Sequence, residues 1–310
     1  MATNDLTIAA IDCGTNTIKL LIGALPDVAV RESRMVRLGQ GLDEHGEISA
    51  EALERAFAAI DEYAELIAEH GADRISFCAT SATRDAKNAR VFTEGVRERL
   101  GADPVVLSGT EEAALSFDGA VRHLRVPAPE PVLVVDVGGG STELILGTAA
   151  DGPQQSQSID IGSVRLHERH LHSDPPQDEE IAACLADIDA HLDRCRVELA
   201  TASSVVLVAG TALTLSAGVL HLPRYDREAI DQSVLKVDAV HAMAEELVHM
   251  PLGARLRLGW MEHGRADVIG AGGLIVSRVL RRTRVREVIA SEADILDGIA
   301  WALHDALVDQ

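Results

Sequence analysis

The chain has 310 residues, with 49 acidic against 28 basic side chains and a formal net charge of −21. Such a surface repels nucleic acid and anionic membranes at long range, so a polyanionic partner binds only through local backbone N–H groups, a few arginines and bridging cations. Apolar residues make up 47% and aromatics only 3%, so the cores rest on Val, Ile, Leu and Ala, as in buried parallel strands covered by helices.

In chain order, residues 8–23 read IAAIDCGTNTIKLLIG, an apolar strand, a polar turn and a second apolar strand. A strand at 28–38 follows. Ser49 then opens a long helix whose apolar positions Leu53, Phe57, Ile60, Ala64 and Ile67 keep helical spacing. Next come a strand at 74–79, a helix at 88–100, a short strand at 104–107 and a helix at 110–124. Residues 132–147, VLVVDVGGGSTELILG, repeat the opening pattern without a gap. Asp12 meets Asp136, Gly14 meets Gly138, Thr17 meets Ser141 and Gly23 meets Gly147. The second copy leads into a strand at 156–161, helices at 164–170 and 179–200, and a buried strand at 205–208. Helices at 211–220, 237–250 and 265–280, a strand at 285–289 and a helix at 293–308 complete the chain.

Strand hairpins followed by strand–helix alternation, twice over, predict two mixed α/β domains. VPAPEP at 126–131 reads as a stiff linker, which gives domains at 1–128 and 129–310. The last helix, 293–308, is a candidate to pack back on the first domain. Cys13, Cys78, Cys184 and Cys195 form no C-x-x-C pair and read as free thiols of a reducing cytosol. Cys184 and Cys195 are expected on one long helix, roughly 16 Å apart and too far for a disulfide. The start MATNDL is too polar for export, no apolar run is long enough to span a bilayer, and a cytoplasmic location is expected.

The two D-x-G turns carry the chemistry. Their glycines expose backbone N–H groups that suit a phosphate, and a hydroxyl closes each turn. Gly14, Thr15, Asn16 and Thr17 form one such nest, and Gly138, Gly139, Gly140 and Ser141 the other. A carboxylate at the strand end can hold Mg²⁺ directly or through water. Asp136, Glu143 on the outgoing strand, and Asp12 are the candidates. Gly210 and Thr211 open a helix after a buried strand, an arrangement that serves either as an anion site or as an ordinary helix start.

DCGTNT at 12–17, ATSATRDAKN at 79–88, LSGTEEA at 107–113 and DVGGGSTE at 136–143 together resemble the exopolyphosphatase and guanosine pentaphosphate phosphatase family. RLGQGL at 37–42, AGTALTL at 209–215 and residues 265–273 also fit its pattern. The resemblance implies two ribonuclease H-like domains of the actin-like ATPase superfamily with an interdomain active-site cleft. It implies removal of terminal phosphates from inorganic polyphosphate with Mg²⁺ or Mn²⁺. By that likeness Glu112 is the catalytic carboxylate that activates water, on a helix that Thr110 can cap. Arg84 resembles a phosphate-gripping arginine, with an ion pair to a carboxylate as the other reading. Thr15 and Thr17 stand where the family usually has serine.

Guanosine penta- and tetraphosphate are the competing partners, disfavoured by the scarcity of aromatics for base stacking. A kinase or ATPase of the same fold, and a non-catalytic polyphosphate or nucleotide sensor, are the remaining alternatives. Longer relatives carry further helical domains, so a chain stopping at Gln310 is expected to prefer short polyphosphate or to work as a homodimer. HERHLH at 167–172 matches no zinc signature and reads as a plain segment. Arg278, Arg281, Arg282, Arg284 and Arg286 read as a solvated helix end, with an anion track or dimer contact as the alternative.

Overall fold

The computed structural model describes residues 6–308, so MATNDL lies, apart from Leu6, outside the described residues. Two compact units emerge. Unit 1 runs to Gly119 and resumes at Ile295, while unit 2 is Ala120–Asp294. The division thus falls upstream of the proline-rich stretch at 126–131.

Unit 1 opens with an antiparallel meander of β1 (Ile8–Cys13), β2 (Thr17–Ala24) and β3 (Asp27–Met35). A short α1 (Leu42–His45), the long α2 (Ala50–Glu69), β4 (Arg74–Ala79), α3 (Ser81–Asp85) and α4 (Ala89–Leu100) follow. The unit continues with β5 (Val105–Val106) and α5 (Gly109–Val121). The sheet order is β3-β2-β1-β4-β5, with β1, β4 and β5 parallel.

Unit 2 repeats the plan. β6 (Val132–Val137), β7 (Thr142–Thr148) and β8 (Gly152–Ile159) form the meander, followed by α6 (Ser163–His170) and α7 (Asp178–Leu192). Then come β9 (Ser204–Val208), α8 (Ala209–Val219), α9 (Arg227–Ile230), β10 (Val234–Lys236) and α10 (Val237–His249). α11 (Leu252–Arg255), α12 (Ile269–Leu280) and β11 (Glu287–Ala290) close the unit. Its order is β10-β11-β9-β6-β7-β8. Read from the meander inward, this is the unit 1 order plus one antiparallel edge strand, β10. Both units have the ribonuclease H-like sheet of the actin-like ATPase fold.

β1 is buried at every position, so both of its faces need cover. Its side chains alternate between two cores. Ala9, Ile11 and Cys13 pack with Ala52, Ala56, Ile60 and Tyr63 of α2. Ile8 and Ala10 pack with Leu107, Ile295, Leu296 and Ile299. The second cover comes from α13 (Ile295–Val308), at the far end of the sequence.

Two elements depart from the sequence expectations. On α2, capped by Ser49 through Ala52 N at 3.2 Å, the fully buried stripe is Ala52, Ala56, Ala59, Ile60, Tyr63 and Ile67. Leu53 and Phe57 flank it, because the alanines let the helix lie close to the sheet. The helix expected over 179–200 stops at Leu192, so Cys195 lies beyond it. Leu192, Val197 and Leu199 all enter the unit 2 core. In a continued helix Val197 would face about 140° away from Leu192. All four cysteines are free.

α13 docks at very close range. A Cβ at Gly298 would lie 2.0 Å from the backbone oxygen of Leu115, while Asp297 forms an ion pair with Arg31 of β3. Gly298→Ala is therefore expected to destabilise the protein by about 1–3 kcal/mol. Urea unfolding should show a lower midpoint at similar slope, and an unchanged midpoint would contradict this docking.

Candidate active site

In unit 1, Asp12 lies beside Cys78, Cys13 beside Ala79, and Ala79 beside Val106. The segments leaving β1, β4 and β5 thus emerge side by side at the carboxyl edge of the parallel strands, the usual ligand edge of such sheets. Thr80 N donates to Cys13 O at 3.1 Å and Leu107 N to Ala79 O at 2.9 Å. The hydroxyls of Thr15 and Ser81 share a 2.9 Å bond. The three sequence motifs of this unit are thereby gathered at one edge.

Glu111 and Glu112 have opposite surroundings. The cap of α5 is Ser108 rather than Thr110. Ser108 N and Oγ donate to Glu111 Oε2 at 2.9 and 2.7 Å, and Glu111 N donates to Ser108 Oγ at 3.3 Å. Glu111 is thus an exposed capping-box residue, and these bonds hold its carboxyl below the usual range. Glu112 is only 6% exposed. Arg84 Nη1 donates to its Oε2 at 2.9 Å and to Leu107 O at 2.8 Å. Burial pushes the Glu112 carboxyl above the usual range, and the Arg84 guanidinium and the Thr80 hydroxyl pull against that rise. Arg84, expected to grip phosphate, is engaged with Glu112 and a backbone carbonyl.

Both D-x-G turns are held by their carbonyl oxygens. Gly39 N donates to Thr15 O, and Val36 N and Arg37 N to Asn16 O. In unit 2, Ser163 N donates to Gly138 O, Val164 N and Arg165 N to Gly139 O, and Arg165 Nε to Gly140 O. In a trans peptide the C=O and the following N–H point in opposite directions. Fixing these carbonyls turns the N–H groups of Asn16 and Thr17, and of Gly139, Gly140 and Ser141, to the other side. That is the geometry of an anion nest.

The matched carboxylates differ between the copies. In unit 2 Asp136 stands directly opposite Glu143 in the β6–β7 ladder, and both are buried, at 7% and 2% exposure. Ser158 Oγ donates to Glu143 Oε1 at 2.7 Å. Directly opposed side chains have Cβ atoms about 5 Å apart, so two buried carboxylates there suit a shared cation. In unit 1 the partner of Asp12 is Lys19, whose Nζ lies 3.8 Å from Asp12 Oδ2. The ammonium already supplies the charge that a metal would bring, which sets Asp12 apart from the other two metal candidates.

β9 runs beside β6 with Val208 level with Asp136, so α8 begins next to the glycine turn. Ala209 enters this helix at φ +62°, left-handed and uncommon for a residue with a Cβ. A Cβ on Gly210 would lie 2.1–2.3 Å from the Arg265 guanidinium. Arg265 therefore lies flat on the first turn of α8. Thr211 beside it is buried, with its methyl against Gly272. Arg265 was not singled out in the sequence, because its contact with Gly210 spans 55 positions.

His170 Nε2 is paired with Asp187 at 2.8 Å. Among the described residues no group of three or more His, Cys, Asp or Glu is arranged to hold a metal. In the basic run, Arg278 is paired with Asp189, and Arg282 with Asp189 and Asp193. These two fasten α12 to α7.

Twin α/β sheets carrying N–H nests at their carboxyl edges, one beside a buried carboxylate pair, define a protein of the actin-like ATPase fold with phosphate-type loops. The chain belongs to the Ppx/GppA phosphatase family, whose model matches residues 19–305. It is 43% identical to exopolyphosphatase 2 of Mycobacterium tuberculosis, over 96% of this chain and 98% of that protein. A solved exopolyphosphatase-like protein superposes with a TM-score of 0.94 at 40% identity, covering 97% of this chain and 99% of the other. The crystal structure of an exopolyphosphatase from Cytophaga hutchinsonii gives a TM-score of 0.86 at 27% identity, over 97% and 98% of the two chains.

The nest geometry makes a testable demand. A Cβ at Gly162 would fall 2.3 Å from Gly139 O. Gly162→Ala should push the glycine turn out of place and weaken binding of inorganic triphosphate about tenfold or more, equivalent to at least about 1.4 kcal/mol. Calorimetric titration measures this, and unchanged affinity would remove the turn from the binding site.

Proposed function

We propose that this protein is an exopolyphosphatase, releasing terminal orthophosphate from inorganic polyphosphate by attack of water. The observation that carries the reading is Glu112, a buried carboxylate held by Arg84 at the ligand edge of unit 1. The likeness to a relative named exopolyphosphatase supports the substrate class.

In this reading, ionised Glu112 takes a proton from the attacking water. The water oxygen bonds to the terminal phosphorus, the bridging P–O bond breaks, and its electron pair leaves with the shortened chain. Arg84 fixes the carboxylate and opposes the effect of its burial. Within each unit the N–H groups of its turn, and in unit 2 also those of the α8 start with Arg265, are suited to hold phosphate oxygens and to stabilise charge that builds on them. Asp136 and Glu143 are suited to hold Mg²⁺ or Mn²⁺, which would neutralise phosphate charge when bound.

Among the described residues no helix is long and apolar enough to cross a membrane. The free thiols favour a reducing cytoplasm. Sedimentation of the full chain tests for a homodimer.

Glu112→Gln keeps size and hydrogen bonding but removes the base, and turnover should fall about 10²- to 10⁴-fold with little change in KM. Glu111→Gln should stay within about a few-fold, since a capping carboxylate contributes to the helix rather than to the reaction. Because burial raises the Glu112 carboxyl, the acid limb of kcat should lie above the ordinary glutamate range. Arg84→Ala, which removes the opposing charge, should move that limb further up. Equal activity of both glutamine variants would detach the reaction from this helix.

Phosphate release should stop in excess chelator and return with Mg²⁺ or Mn²⁺. Asp136→Ala or Glu143→Ala should remove most activity with the fold intact by circular dichroism. Polyphosphates of defined length, assayed beside guanosine pentaphosphate, check the substrate. Trimmed chains are the expected product, and faster release from guanosine pentaphosphate than from any polyphosphate would overturn the choice.

A further inference from the structure

Unit 2 contains a cavity of about 390 Å³, lined by apolar and charged side chains together, that the proposed reaction does not use. Its walls come from the end of α6, the 172–176 loop, α11 and the approach to α12, and their charged and titratable members are His167, Glu168, His172, Asp174, Asp267 and Arg255. Arg255 is the unusual member, a cation only 4% exposed. Its five N–H donors find few acceptors. Nη1 donates to Asp267 O at 3.2 Å. Nη2 lies 3.9 Å from Asp174 Oδ1, beyond hydrogen-bond distance, and that oxygen already accepts from Leu252 N at 2.7 Å. Nε has no partner among the described residues.

Buried guanidinium groups are ordinarily matched by close, multiply bonded acceptors. Here the ion pair is a long one, to a carboxylate that is 53% exposed, a weak kind of compensation, and Asp267 adds a second counter-charge. Burial accordingly depresses the Arg255 guanidinium. A cation compensated this weakly, on the wall of an open cavity that two imidazoles also line, is arranged for a small oxyanion.

We propose that this cavity is a second anion site, taking inorganic phosphate on Arg255 in place of the distant Asp174. Asp174 and Asp267 keep the site weak, with an expected Kd on the order of 1 mM. The binding stands on the cavity alone. Its meaning as a product-sensing site rests on the exopolyphosphatase reading.

The test is titration of the full chain with inorganic phosphate at constant pH and ionic strength, following the ring resonances of His167 and His172 by NMR. In the wild type both should move saturably. Arg255→Gln should weaken the midpoint at least tenfold, and Asp174→Asn, which removes the competing carboxylate, should strengthen it several-fold. Turnover of polyphosphate without added phosphate should be unchanged in both variants. Ring signals that stay put, or that titrate alike in wild type and Arg255→Gln, would overturn the site. Should Arg255→Gln fail to fold, Asp174→Asn decides, because an unchanged midpoint there is equally fatal. Saturable His shifts in a chain that releases no phosphate from polyphosphate would leave the site standing and remove only the hydrolase reading.

Discussion

The opposed directions of C=O and N–H within one peptide unit are the constraint on which this structure depends. Each D-x-G turn has its carbonyls bound by the segment that follows the meander, residues 36–39 in unit 1 and 163–165 in unit 2. The outward N–H groups are a consequence of that anchoring, which is backbone to backbone except where the Arg165 side chain holds Gly140 O. A protein of net charge −21 can thereby present partial positive charge to a polyanion without a basic surface. Gly162 serves the anchoring, since a Cβ there would strike Gly139 O at 2.3 Å, whereas a Cβ on Gly39 would meet the Thr15 methyl at 2.3 Å.

On this shared frame the two units diverge by charge. The same ladder position carries lysine opposite aspartate in unit 1 and glutamate opposite aspartate in unit 2. The first pair is internally neutral. The second places two carboxylates side by side in a buried setting, a donor pair suited to a cation. Glu112 follows a third course. Its burial is opposed by one guanidinium, leaving it easier to protonate than a surface glutamate and held by a fixed partner.

Much of this was legible in the sequence because it is local. The strand–turn–strand repeat, the Ser49 cap and the order of the motifs depend on neighbours within a few positions. The Lys19 contrast was also present once Asp12 was aligned with Asp136, since the same register aligns Lys19 with Glu143. What could not be read depends on distant contacts. Arg84 finds its carboxylate 28 positions away, and Arg265 lies against Gly210, a residue far from it in the chain. The end of α7 at Leu192 is set by where Val197 must point in the core. The edge strand β10 exists because β11 offers it a partner, and its three residues carry no pattern of their own.

α13 has a consequence for the order of biosynthesis. The chain leaves the ribosome from its amino end, and domains generally fold as units in that order. Here the first unit to emerge has only Leu107 and Leu115 to cover Ile8, Ala10 and Leu21 until Ile295, Leu296 and Ile299 are made. Unit 2 is continuous in sequence and can complete its core earlier. The nascent amino-terminal sheet therefore waits with an apolar face only partly covered through most of translation, and the unit that is begun first is the one finished last.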